Sequence, residues 1–177
     1  MRILNSDPYS SKEMPTWLMG LTFLLFLAWV GSAIYNNARP APAAGQDLVR
    51  WQTFSDADNQ WKQGTKPMLY DFSAAWCGPC QQMKRDVFGD PKTADWINQS
   101  FIPVSALDRQ QEDGKNSPEV EALQKQYDIQ AFPTLVVKFP NGSFKTQVGY
   151  DSKDKTVQFL QEQLADLNKG NSTIPVQ

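Results

Sequence analysis

The chain predicts an α/β domain, a central mixed β-sheet flanked by helices, preceded by one N-terminal transmembrane helix. Three observations carry that expectation. Strand-like and helical runs alternate from Leu48 to Leu167 and close on a hairpin, in the order β-α-β-α-(α)-β-α-β-β-α, the pattern of a layered fold with a mixed sheet. The only two cysteines, Cys77 and Cys80, lie where a strand run gives way to a helix. Met14 to Tyr35 is an uncharged, apolar stretch of about 22 residues, enough for the roughly 20 that cross a bilayer.

Composition narrows the chemistry. The 41% hydrophobic and 20% charged content is that of a globular protein with a packed core. A formal charge of −2 without a Lys/Arg cluster argues against a nucleic-acid partner. The chain has no histidine, so two cysteines cannot complete the usual four-ligand zinc site, and a Cys-His nucleophile is impossible. Redox chemistry is what remains for the pair, with no metal and no cofactor beyond the disulfide itself.

Residues 1–14 form an N-terminal flank and residues 15–35 the expected transmembrane signal-anchor helix. Trp17 lies near one end of it, and Trp29 and Tyr35 near the other, as interfacial aromatics do. A cleaved signal peptide is the competing reading, with Gly31-Ser32-Ala33 and Ala41-Pro42-Ala43 as small-residue sites. Apolar residues continue past Ser32 and Trp29 crowds the first site, which favours an uncleaved anchor. Arg2 and Lys12 before the span balance Arg39 and Arg50 after it, so charge leaves the orientation open. The long domain that follows favours export.

Residues 36–46 (NNARPAPAAGQ) read as a spacer, and residues 47–168 as the folded domain. Leu48–Thr53 is a weak strand. Ser55, with Asp58 three residues on, is a cap for a helix to about Gln63. Met68–Ser73 has the length and apolar content of a buried central strand, and the cysteine pair then opens a helix to about Val87. Asp90-Pro91 and Ser117-Pro118 each combine a cap with a first-turn proline and start helices to about Gln99 and Tyr127. Phe101–Leu107 is a strand and Asp108–Asn116 a polar loop. Pro140-Asn141-Gly142 joins strands Thr134–Phe139 and Ser143–Val148 as a hairpin. Asp151–Leu167 is an amphipathic helix with Val157, Leu160, Leu164 and Leu167 on one face, and 169–177 is a tail.

At the start of its helix, Cys77 lies where unpaired backbone N–H groups and the helix dipole favour an anion. Its thiol should therefore ionise readily and attack disulfides. Cys80, about one turn on, is placed to resolve the mixed disulfide. Gly78 permits close approach of a substrate backbone, and Pro79 lacks only an N–H that the first turn does not need.

The run Tyr70-Asp71-Phe72-Ser73-Ala74-Ala75-Trp76-Cys77-Gly78-Pro79-Cys80, with Phe132-Pro133-Thr134 downstream, resembles the thioredoxin superfamily from about Leu48 to Leu167. Phe88-Gly89-Asp90-Pro91 and the polar loop from Asp108 to Ser117 resemble a subgroup, the C-terminal periplasmic domain of the thiol:disulfide interchange protein DsbD and similar anchored thioredoxins. The chain departs from DsbD in its Gly-Pro spacer, and it is expected to work without the multi-helix membrane domain and the N-terminal partner domain of DsbD.

The resemblance implies a thioredoxin fold, with Cys77 and Cys80 catalytic and Asp71 a buried acid that handles the proton of Cys80. Pro133 becomes a cis proline, and Trp76, Gly78, Pro79, Phe132 and Pro133 the substrate-docking surface. It places Ala106 where cytosolic thioredoxins carry a lysine near the acid. It implies a membrane-tethered protein-disulfide reductase, single-pass in a bacterial inner membrane, with its domain in the periplasm. The partners would be disulfide-bearing extracytoplasmic proteins and a membrane electron donor such as a DsbD-like transporter. A cytochrome c maturation-type thiol reductase, a dithiol oxidase and a non-catalytic assembly module of a membrane complex are the alternatives.

Overall fold

A computed structural model describes residues 16–37, 46–64 and 66–171. The chain forms two compact units, Met1–Ala41 and Pro42–Gln177. The first contributes helix α1 (Thr16–Asn37), whose Trp17, Phe23, Leu24, Leu25, Phe26, Leu27 and Trp29 are exposed. The expected span is thus helical from residue 16, but among the described residues no helix is long and apolar enough to cross a membrane. The side chains described in α1, Trp17 and residues 20–31, cover less than the roughly 20 residues a span needs. The 1–14 flank, most of the 36–46 spacer and the end of the tail lie outside the described residues.

The second unit is built on β1 (Met68–Ala74), β2 (Ile102–Asp108), β3 (Thr134–Lys138) and β4 (Phe144–Val148), in the order β2-β1-β3-β4. β2 runs parallel to β1, whereas β1–β3 and β3–β4 are antiparallel. The mixed α/β sheet expected from the sequence is borne out. Because strand side chains alternate, β1 divides its residues between two cores. Leu69 joins Met83, Val87, Ile97 and Leu160, while Met68, Tyr70 and Phe72 join Ala57, Val104 and Val120.

Helices α2 (Phe54–Gln63) and α6 (Pro118–Gln126) supply the second core, and α3 (Gly78–Met83), α4 (Pro91–Ser100) and α7 (Lys153–Asn171) the first. The short α5 (Gln110–Asp113) lies within the expected polar loop. Asp90 Oδ1 accepts from Thr93 N at 2.8 Å, and Ser117 Oγ from Val120 N at 3.3 Å, with Pro91 and Pro118 in the first turns. Both caps are the ones the sequence predicts. On α7, Leu160 is fully buried and Leu164 and Leu167 pack beside it. Thr156 and Gln163 share that buried face because each bonds the preceding turn, at Ser152 O (3.2 Å) and Phe159 O (3.1 Å).

Three expectations need correction. The cap of α2 is Thr53, whose Oγ1 accepts from Asp56 N at 3.2 Å, not Ser55; the earlier start lets Phe54 and Ala57, one turn apart, both meet the core. Leu48–Thr53 is not a strand and makes a single bridge, Gln52 to Val104. It is held instead by cross-links to the helical layer: Leu48 N donates to Phe88 O at 2.9 Å, and the Asn98 amide donates to Leu48 O (3.2 Å) and accepts from Arg50 N (2.8 Å). Finally, the helix of the cysteine pair does not run uniformly to Val87. After Met83 it widens into a π turn, Lys84–Phe88, closed by Gly89 N donating to Lys84 O at 2.8 Å. The extra residue in that turn brings consecutive Val87 and Phe88 into the core.

Gly89 marks the closest approach of these pieces. A Cβ there would stand 2.8 Å from Arg85 O and 3.1 Å from Gln46 O, and two backbone atoms cannot yield as a side chain does. Gly89→Ala is therefore expected to destabilise the domain by about 1–3 kcal/mol, read as a lower urea midpoint at unchanged slope.

Candidate active site

Cys77 caps α3, and its sulfur is bonded to Cys80 in a disulfide. The sequence dictates this placement. Gly78 and Pro79 open the first turn without needing an N–H partner at the proline. The Cys77 N–H donates to Ala74 O at 3.2 Å, and Cys80 N donates to Cys77 Sγ, also at 3.2 Å. A helix N-terminus thus points a backbone donor at the N-terminal sulfur, the arrangement that favours a thiolate once the bond is reduced. Both cysteines are buried.

The surface over the disulfide comes from two segments. Trp76 is 53% exposed, and its ring meets Phe132 edge-on at 6.0 Å between centroids. Phe132 packs in turn against Ala74, Cys77 and Cys80. The Phe132–Pro133 bond is cis, and Pro133 O accepts from Gly149 N at 2.7 Å. Gly149 sits at φ +79°, a conformation that glycine adopts without strain. Gly78 and Pro79 are exposed, and a Cβ at Gly78 would meet nothing within 4 Å. A partner backbone can approach there.

Behind the pair lies Asp71. In β1 it is flanked in register by Ser105 of β2 and Leu135 of β3. It is buried, and its Oδ1 has no hydrogen-bond partner in the protein. It lines a cavity of about 180 Å³ together with Cys80, Ser73, Ser105, Asp47 and Lys84. Burial pushes its carboxyl from the usual 3.8 up to about 7, because the charged form loses water. A hydrogen bond from Ser73 opposes that rise, the nearby Asp47 charge adds to it, and Lys84 opposes it.

Of the residues singled out in the sequence, Cys77, Cys80, Trp76 and Phe132 form one packed group. Asp71 and Cys80 line the same cavity. Ala106 is not beside Asp71: it pairs with Phe72 and belongs to the Tyr70–Phe72 core, and Ser105 faces the acid's cavity instead. Sequence reasoning missed Ser105, Asp47 and Lys84. Strand alternation could have found Ser105; Asp47 and Lys84 carry no local signal. Among the described residues no group of three metal-ligating side chains is assembled.

A family model described as a thioredoxin-like domain matches residues 54–164. The chain is 33% identical over 118 residues to a thioredoxin of Alicyclobacillus acidocaldarius, covering 65% of this chain and 95% of that protein. It is 29% identical over 142 residues to the thiol:disulfide interchange protein DsbD of Haemophilus ducreyi, covering 80% of this chain but only 24% of DsbD. Among solved structures, a DsbH oxidoreductase superposes with a TM-score of 0.55 at 20% identity, covering 70% of this chain and 89% of that one. A Thermus thermophilus thioredoxin gives 0.54 at 21% identity, covering 65% and 86%. The two structures share the fold. The family match spans more than half of the chain and every strand of its sheet, so the chain belongs to the thioredoxin-like family of thiol-disulfide oxidoreductases.

Proposed function

We propose that this protein is a membrane-tethered dithiol reductase that reduces disulfides of extracytoplasmic partner proteins. The observation that carries the chemistry is the buried Asp71 carboxyl, one oxygen of which has no hydrogen-bond partner, sharing one cavity with Cys80. In the reduced protein the Cys77 thiolate attacks one sulfur of a partner disulfide, and the partner's other sulfur leaves as a thiolate. Cys80 then gives its proton to ionised Asp71 and attacks Cys77 Sγ. The second partner sulfur leaves, and the Cys77–Cys80 disulfide remains. Two electrons pass to the partner, whose two thiolates take up protons from solvent.

Direction rests on the Gly78-Pro79 spacer, which resembles that of reducing thioredoxins at about −270 mV rather than the oxidant DsbA at about −120 mV. Placement rests on the apolar run within 15–35, which supports a single-pass anchor in a bacterial inner membrane with the domain in the periplasm. In that compartment the disulfide must be reduced again by a membrane electron donor, and a DsbD-like transporter fits the likeness to DsbD.

Cys80→Ser is expected to hold partners as mixed disulfides on Cys77, recovered with extracytoplasmic proteins, and Cys77→Ser to capture none. A redox potential near the DsbA value would overturn the reductase direction.

Asp71 makes two measurable demands. Ionised Asp71 is the proton acceptor, so resolution of the mixed disulfide should rise with pH through about 7. Asp71→Asn should slow that step about 100-fold. Stability moves oppositely. The folded-state value lies above the unfolded one, so the folded protein holds this proton more tightly, and wild-type stability falls as pH rises from about 4 to 7. Asp71→Asn should match wild type near pH 3.5 and exceed it by up to about 4 kcal/mol at pH 8, measured by urea unfolding at both pH values.

A further inference from the structure

We propose that Asp47 and Lys84 form a positioning pair of opposite charge that tunes the ionisation of Asp71 across their shared cavity. The inference rests on Asp71 being the proton acceptor for Cys80, and it assigns a role to two residues that no sequence motif marks.

The geometry places the pair in the wall of the cavity that Asp71 lines. Asp47 and Lys84 line the same cavity as Asp71 and Cys80, and Lys84 Nζ stands 4.0 Å from Asp47 Oδ2. Lys84 is the more open of the two, its side chain 45% exposed against 19% for Asp47. Each is fixed from a different element. Lys84 begins the π turn, one turn after the resolving cysteine, and its N–H donates to Cys80 O. Asp47 is held by Val49 N at 3.0 Å to Oδ1 and Trp51 Nε1 at 2.7 Å to Oδ2. The Trp51 ring is pinned edge-on to Phe88 at 5.0 Å. The carboxylate therefore cannot swing away from the cavity when the ammonium moves.

As a stabilising salt bridge this pair has little to offer. It is long, its cation is half in solvent, and both Asp47 oxygens already accept from neutral donors; such pairs contribute about 0–1 kcal/mol. Its field matters more. Across a cavity walled by Phe88, Leu107 and Ala74, charges are screened less than in water. The ionisable groups facing Asp71 are Asp47 from the lead-in segment, Lys84 from the π turn and, after reduction, the Cys80 thiol; Ser73 and Ser105 are neutral. Asp47 favours the protonated acid and Lys84 the ionised one. With no lysine next to Asp71 on the strands, Lys84 is the cation that adds to the Ser73 hydrogen bond in favouring the ionised acid.

The test is a carbon-detected NMR titration of the Asp71 carboxyl in the full-length oxidised protein, assigned by its loss in Asp71→Asn. Lys84→Met should raise the midpoint and Asp47→Asn lower it, each by about half a unit, a roughly threefold change in the ionised-to-protonated ratio. Lys84→Arg should keep the wild-type midpoint. A merely structural role would move both variants the same way or neither, and either result overturns the proposal. Matching displacements of the pH profile of mixed-disulfide resolution support the whole scheme. Opposite shifts in the titration without any change in that profile would support the pair and overturn the acceptor role of Asp71.

Discussion

A carboxylate buried in the middle of the central strand is the constraint on which the rest of this structure depends. Asp71 sits on β1 between two hydrogen-bonded neighbours, the edge strand β2 and the inner strand β3. Its tolerance requires space and polarity on one side only. The alternation of β1 supplies this, because Tyr70 and Phe72 point into one core while Asp71 and Ser73 point towards the other face. The cavity, the serines that line it and the raised proton affinity of the acid are consequences of that single placement. A buried carboxylate is costly to ionise, and the structure keeps this one in the cavity that Cys80 also lines.

The disulfide lies where three local decisions converge. The Cys77-Gly78-Pro79-Cys80 turn orients backbone donors at Cys77, Trp76 and Phe132 cover the sulfurs, and the cis Phe132–Pro133 bond, tied to Gly149, delivers Phe132 to them. The apolar cover keeps the sulfurs out of water, while the exposed Gly78–Pro79 edge leaves a face for a partner.

Much of this was legible in the sequence because it is encoded locally. A cap followed by proline at Asp90-Pro91 and Ser117-Pro118, the Asn141-Gly142 turn and the strand-length run before Cys77 each need only a few neighbouring residues to be read. What escaped depends on distant partners or on register. Ala106 and Ser105 differ by one position, and in a strand one position is the difference between opposite faces. The π turn after Met83 has no sequence punctuation. Leu48–Thr53 has a strand's composition but finds its partners in Phe88 and Asn98, so tertiary hydrogen bonds replace a ladder. Asp47, placed by that same packing, was invisible for the same reason.

That lead-in segment has a mechanical meaning. Along the chain from its N-terminal side, the helical layer is met before the sheet, which the lead-in segment joins only at Gln52. The first ties are the bond from Leu48 N to Phe88 O and the approach of the Gln46 carbonyl to Gly89, close enough to exclude a Cβ there. Both belong to the turn that continues the active-site helix. The covalent lead into the domain is thus fastened first to the turn that continues the active-site helix, and Asp47 lies at that fastening.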